Sequence, residues 1–230
     1  MVGERLYDRY YEKYGADRND LLNNPEVTFQ TFAFDRANIR ALQRMELDRE
    51  KAHILDVGCG TGASLVPFIR LGFKPENLAG VDPSDERIAQ ARVSYPTVDF
   101  RQESGEATTF ADSTFDIAFE STLFMMLTSD DLARRVAAEM IRVTRPGGYV
   151  MLADWRYAKR GSADHRAMSR ERIGSLFGVG STTEVIARER GALVPPVGRF
   201  LSRRVPALYF AVQTVVPFAV GQITTVLRKR

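Results

Sequence analysis

Cysteine is nearly absent from this chain. Cys59 is the only one in 230 residues, which excludes an internal disulfide framework and any multi-cysteine metal site. Histidine is almost as scarce, with His53 and His165 alone, so no multi-histidine centre is expected and the chain reads as metal-independent. No basic–apolar–small leader segment opens it, and with so little cysteine the expectation is a reducing cytoplasm. Long uncharged runs are also missing, with one exception. Residues 205–227 carry no charged side chain and are flanked by Arg203, Arg204 and Arg228. That run is long enough to span a bilayer, but it contains Pro206, Pro217, Gln213 and Gln222, and two prolines interrupt a helix. It is read as a buried helix–turn–strand, with peripheral membrane contact through the C-terminal part kept open.

What is present is ordinary for a globular protein: 44% hydrophobic and 27% charged residues, values that exclude disordered, collagen-like and polytopic membrane chains. The charge is unevenly placed. Residues 1–155 hold 18 Lys/Arg against 25 Asp/Glu, whereas residues 156–230 hold 14 against 4. A basic last third suits an anionic substrate, a phospholipid surface or a nucleic acid, or simply solvated helix faces.

Residues 1–50 read as a helical cap. Tyr7, Tyr10, Tyr11 and Tyr14 share one helical face by their spacing. A helix follows over about 28–48, with Phe32, Ile39, Leu42 and Met45 expected on its buried stripe. From residue 53 short apolar runs alternate with helical patterns. Strands are expected at 53–57, 78–81, 98–101, 115–119 and 149–153, and helices at 64–71, 84–93 and 130–144. Beyond them, 156–191 reads as helix plus loop, 192–197 as a sixth strand, 200–212 as a helix and 223–227 as the last strand. Such alternation predicts an α/β parallel sheet with helices on both faces. The main domain is placed at 51–230, with a substrate-side insertion at about 156–220.

Asp56-Val-Gly58-Cys59-Gly60-Thr-Gly62 sits where the first strand turns into a helix, the place where glycines let backbone approach a ligand. By itself Gly58-x-Gly60-x-x-Ala63 passes for a loose dinucleotide fingerprint. Its surroundings discriminate. Asp56, two residues before the first glycine, suits a cationic ligand group and disfavours a pyrophosphate. Asp82 ends the second strand, where an acid accepts hydrogen bonds from ribose hydroxyls.

HILDVGCGTG, VDPS, FDIAFES and EMIRVTRPGGYVMLAD, spread over residues 52–155, together resemble the class I S-adenosylmethionine-dependent methyltransferases. The likeness is strongest to their small-molecule branch, and YDRYYEKYG, IGSLFG and the terminal LRK look like bacterial methyltransferases of surface-glycan sugars. The resemblance implies a Rossmann-like seven-stranded sheet, mostly parallel with the last strand antiparallel. It implies S-adenosyl-L-methionine as cofactor, with Asp56, Gly58, Cys59 and Gly60 around its methionine end and Asp82 on its ribose. Pro83 would lie beside the adenine, and Glu120 and Ser121 under the sulfonium. In the adenine loop Glu103-Ser104-Gly105-Glu106, two registers put either Ser104 or Glu106 in the acidic slot. Arg36 is a candidate for the cofactor carboxylate.

The expected reaction is methylation of a small-molecule acceptor, foremost a hydroxyl of a sugar or glycan precursor. A weakly acidic hydroxyl calls for a base, and His165 and Asp154 are the two candidates. Three other readings stay open: a quinone or lipid methyltransferase, a nucleic-acid methyltransferase using the basic last third, and a non-catalytic cofactor-binding protein. Nucleic acid is disfavoured, because Glu120-Ser121-Thr122-Leu123 stands where amino-methylating DNA enzymes carry an acidic or polar residue, two prolines and an aromatic. Cys59 is read as a packing residue and His53 as a surface one.

Overall fold

A computed structural model describes residues 20–158 and 163–230. The four N-terminal tyrosines lie outside the described residues. Seven strands form one sheet: β1 (Ile54–Val57), β2 (Leu78–Asp82), β3 (Asp99–Gln102), β4 (Phe115–Ser121), β5 (Thr144–Trp155), β6 (Thr183–Arg190) and β7 (Gln222–Lys229). Their order is β3-β2-β1-β4-β5-β7-β6. The first five pair in parallel, and β7 runs antiparallel to both β5 and β6. This is the Rossmann-like α/β sheet that the motifs imply, with its last strand reversed.

Two apolar layers cover the sheet. On one face, Phe68 of α2 (Val66–Arg70) and Ile88 and Ala91 of α3 (Asp85–Ser94) pack on Ile54, Leu78, Ile117, Phe119 and Met151. On the other, α4 (Asp130–Val143) and α5 (Arg170–Phe177) pack on Leu55, Val57, Ala118, Val150 and Leu152. The central strands β1 and β2 are buried along their whole length, as parallel strands covered on both faces must be. Ser129 and Ser169 start α4 and α5 by accepting the backbone N–H of Leu132 and Arg172, at 3.3 and 3.2 Å. Each such cap satisfies a helix-end donor and stabilises by about 1 kcal/mol.

A third apolar cluster roofs the carboxyl end of β5 and the start of β7. It joins α1 (Pro25–Leu42) to α6 (Pro195–Arg204) and α7 (Tyr209–Val215) through Ala33, Leu193, Leu201, Tyr209 and Val220. The uncharged run 205–227 is thus a short turn at Pro206–Leu208, α7, a second turn at Pro217–Ala219, and β7. Among the described residues no helix is long and apolar enough to cross a membrane.

Three sequence expectations need correction. The sixth strand is Thr183–Arg190, not 192–197; Leu193 makes only an isolated bridge to Val220, and Pro195 begins α6. The segment 156–220 therefore contributes α5 and β6 to the sheet layers, and the roof is built from 191–221 with α1. On α1 the buried face is Val27, Ala33, Ala37, Asn38 and Ala41, whereas Phe32 is 56% exposed and Ile39 37% exposed. Small residues let α1 lie close against β6 and β7, a fit that hydrophobicity alone ranks below the larger side chains.

Candidate active site

The carboxyl ends of β1, β2, β4 and β5 bring together most of the residues singled out in the sequence. Gly58, Gly60 and Gly62 adopt positive φ values of 76°, 52° and 81°, the left-handed region that glycine enters without a Cβ penalty. Gly58 N and Cys59 N donate to Val81 O at 2.8 and 3.0 Å, tying the loop to β2. A Cβ on Gly62 would come within 2.6 Å of the Phe100 ring, whereas one on Gly60 would meet nothing closer than 4.0 Å. Gly62 is thus fixed by packing, while the space before Gly60 is open to a ligand.

Asp56 is fully buried. Its Oδ2 accepts from the Ser64 hydroxyl, and its Oδ1 has no partner. Burial pushes its carboxyl up to about 7; the Ser64 hydrogen bond opposes this and the nearby Asp82 charge adds to it. Asp82 accepts from Gly60 N at 3.1 Å and from Ser84 N at 3.0 Å. Cys59 is buried with its sulfur against Gly80, and burial drives its thiol far above the ordinary range, so it is packing and not a nucleophile. Pro83 is exposed at the end of β2, and its carbonyl accepts from the Gln102 side chain at 3.4 Å. In the next loop Glu106 is committed to Arg135 at 2.6 Å and touches the exposed Ser104 hydroxyl at 3.4 Å. Gly105 lies under them, where a Cβ would stand 2.5 Å from Val57.

Glu120 and Asp154 end β4 and β5 on the same sheet face. Glu120 is fully buried; its Oε2 accepts from Leu123 N at 2.9 Å and its Oε1 has no partner. Burial, and then the charge of Asp154, push its carboxyl well above the ordinary range. Asp154 accepts from Met125 N at 2.9 Å and from Trp155 N at 2.6 Å, and burial pushes it up to about 7. Ser121 is half-buried beside Thr122, whose φ of 60° is left-handed for a β-branched residue, a conformation costing about 1–3 kcal/mol.

The turn after β4 is clasped from outside. Arg172 donates to Phe124 O at 3.0 Å and Leu127 O at 2.9 Å, and Arg166 N donates to Met125 O at 2.8 Å. That last bond sets the half-buried His165 beside the turn. Sequence reasoning missed Ser64 and Arg172, because a lone serine or arginine on a helix carries no pattern. It also misplaced Arg36, which donates to Gln213 at 2.8 Å and stacks on Phe210 in the roof. Phe124, in the same turn after β4, is fully buried against Phe177. Among the described residues no group of three His, Cys, Asp or Glu stands close enough to hold a metal ion.

The raised carboxyls have a stability cost with a definite sign. Unfolded carboxyls titrate near about 4, so the folded chain holds protons up to about 7 that the unfolded chain has lost. The cost is absent below the unfolded value, grows as pH rises and is complete once pH passes the folded one. Glu120→Gln, which cannot ionise, is therefore expected to melt above the wild type at pH 8 by about 3–6 °C. The gap should close toward pH 4. Calorimetry of the ligand-free protein that showed no gap at pH 8 would remove the claim that Glu120 is held against its charge.

Residues 54–148, the glycine loop through the start of β5, match the family described as "Methyltransferase domain". This segment is similar to methyltransferase domains. The group implied for it is S-adenosyl-L-methionine, and the residues fit. The orphaned Oδ1 of Asp56 lacks a donor that an ammonium supplies, and the open backbone at Gly60 leaves room for the chain that carries it. Among curated proteins, the ubiquinone biosynthesis O-methyltransferase of Rhizobium etli (strain CIAT 652) is 31% identical over 121 residues, covering 51% of this chain and 46% of that protein. The demethylmenaquinone methyltransferase of Renibacterium salmoninarum is 31% identical over 140 residues, covering 61% and 55%. The chain thus spans about half the length of these relatives. Among solved structures, the fold of PH0226 from Pyrococcus horikoshii OT3 matches over 96% of this chain and 99% of its own, with a TM-score of 0.65 at 15% identity. The [4+2]-cyclase SpnF matches over 85% and 80%, with a TM-score of 0.58 at 21% identity. Those identities speak for the fold alone, and a cyclase among these structures shows that the fold also hosts other chemistry.

Proposed function

We propose that the chain transfers a methyl group from S-adenosylmethionine to a hydroxyl of a small-molecule acceptor. The observation that carries this is the pair of buried carboxyls, Asp56 and Glu120, each with one unpartnered oxygen, at the strand ends flanking the glycine loop. Buried polar atoms in folded proteins are nearly always satisfied, so two orphans on the neighbouring strands β1 and β4 suit a ligand rich in donors and positive charge. Asp56 would take the ammonium, Asp82 the ribose hydroxyls, and Glu120 and Ser121 the region of the sulfonium. The cofactor, when bound, brings a methyl group already activated by the sulfonium. The chain's part is then alignment, which contributes up to about 7–11 kcal/mol when donor and acceptor are held in line.

A hydroxyl acceptor must also lose its proton. Asp154, held near neutral pH by burial, is tuned for that task, and His165 stands as the rival on the adjoining turn. For the acceptor, the likeness to ubiquinone and demethylmenaquinone methyltransferases favours a quinone precursor over the sugar hydroxyl that the motifs suggest. The arginines around Asp154 described below favour an acceptor bearing negative charge, which either class can carry. Titration calorimetry should show saturable binding of S-adenosylmethionine and S-adenosylhomocysteine and none of NAD. Mass spectrometry with isotopically labelled cofactor should then find the methyl group on the oxygen of a quinone precursor or sugar supplied as acceptor. Absence of cofactor binding would defeat the proposal.

A further inference from the structure

Beyond the cofactor motifs, a cavity of about 410 Å3 opens between α5 and strands β5, β7 and β6, within the size range of small-molecule sites. We propose that this cavity is an anion subsite that takes a phosphate or carboxylate group of the acceptor; this rests on the methyl-transfer reading above. Four arginines line it: Arg156, Arg170, Arg188 and Arg190. Sheet register explains the convergence. Arg188 lies opposite Thr225 and Arg190 opposite Ile223 on β7, and across β7 those two residues face Leu152 and Asp154. All six therefore share one face at the end of the sheet that holds the reactive strand ends.

The arginines divide into two kinds. Arg156 is fixed by donating to Val220 O at 2.7 Å and to Pro217 O, and Arg190 donates to Thr214 O. These bonds satisfy hydrogen-bonding capacity without neutralising charge. Arg170 and Arg188 have no carboxylate at ion-pair distance among the described residues, and Arg188 is half-buried. Burial, and then the charge of Arg170, push the Arg188 guanidinium down; Glu171 pulls the other way from an exposed position where it is engaged by its own backbone and Ser169. The other acids of β6 are spent elsewhere, Glu189 on Arg44 at 3.7 Å and Glu184 on Arg230 at 3.9 Å. Asp154, also on the wall, has both oxygens turned to backbone N–H groups. Two like charges at the edge of a half-enclosed cavity repel, and an anion between them offsets that repulsion while accepting from both planar forks. Because the cavity shares Asp154 with the proposed base, an anion there would anchor the far end of a molecule whose hydroxyl lies near the methyl group.

The test uses the full chain with inorganic phosphate as probe, at fixed ionic strength, read by titration calorimetry. Wild type should bind phosphate saturably. Arg188→Gln should weaken binding by about tenfold, and the double variant Arg170→Gln, Arg188→Gln by more. Arg203→Gln, Arg204→Gln, on the exposed end of α6, should leave phosphate binding unchanged. Affinity for S-adenosylhomocysteine should stay the same in every variant, with circular dichroism reporting retained fold. A second arm uses phosphatidylglycerol and phosphatidylcholine vesicles. Vesicle binding that needs both the anionic lipid and Arg170 and Arg188 would assign the anion to a lipid headgroup; phosphate binding without vesicle binding assigns it to a soluble molecule. No saturable phosphate or vesicle binding, or equal losses in the Arg203/Arg204 control, would overturn the subsite. Absence of S-adenosylhomocysteine binding would instead overturn the methyl-transfer reading and leave the phosphate result to stand by itself.

Discussion

Asp82→Ala is expected to weaken S-adenosylhomocysteine binding by at least about tenfold, since a hydrogen bond to a charged acceptor contributes about 1.5–3 kcal/mol and two ribose hydroxyls are in play. The structure adds a second route to the same loss. The Asp82 carboxylate also holds Gly60 N and Ser84 N, so its removal loosens the glycine loop and the start of α3 together. Asp82→Asn keeps one acceptor and should fall between wild type and alanine. Calorimetry returning the wild-type constant for Asp82→Ala would sink the ribose assignment.

The larger effect is expected at Asp154. If it removes the acceptor's proton, Asp154→Asn should lower kcat by about 10²–10⁴-fold with cofactor affinity retained. The pH profile has a defined direction. Asp154 sits near 7, and a base works when ionised, so wild-type kcat should climb as pH rises through about 7 and level off above it. The asparagine variant should lack that climb. Because Glu120 and Asp154 sense each other's charge, the observed midpoint belongs to the pair and not to either carboxyl alone. If His165→Ala shows the loss and Asp154→Asn does not, the base is His165. Near-normal turnover in both would mean that alignment alone carries the rate.

The cofactor half of the molecule was readable in the sequence because its signals are local. A strand, a glycine turn and a helix follow one another within a few residues, and the acids at Asp56 and Asp82 sit at fixed offsets from them. Even so, β5 is longer than its apolar run at 149–153 suggests. Arg145-Pro146-Gly147-Gly148 looks like a turn, yet the strand assignment begins at Thr144. The C-terminal part, proposed to receive the acceptor, is far less legible. β6 is an edge strand with the sequence TEVIARER, whose charges hide its alternation, while the more apolar 192–197 drew the strand assignment to itself. The α1 stripe failed because alanines, chosen for close approach, lie beneath α1 while Phe32 faces outward. The orphaned oxygens and the lone charges of Arg170 and Arg188 are three-dimensional facts: they depend on which partners fail to arrive, and no spacing rule encodes that.

The bulge between Val185 and Ala187 and the charges of β6 have a consequence for how the molecules behave toward each other. β6 is the last strand of the sheet, with one row of backbone donors and acceptors turned outward. An uninterrupted apolar strand there would template pairing with a neighbouring copy. The register shift twists this edge, and Glu184, Arg188, Glu189 and Arg190 place charge along it, both of them features that discourage sheet-to-sheet association. Arg188 thus serves two ends at once. Exchanging it for leucine to make the cavity apolar would also strip the edge of part of the charge that discourages association.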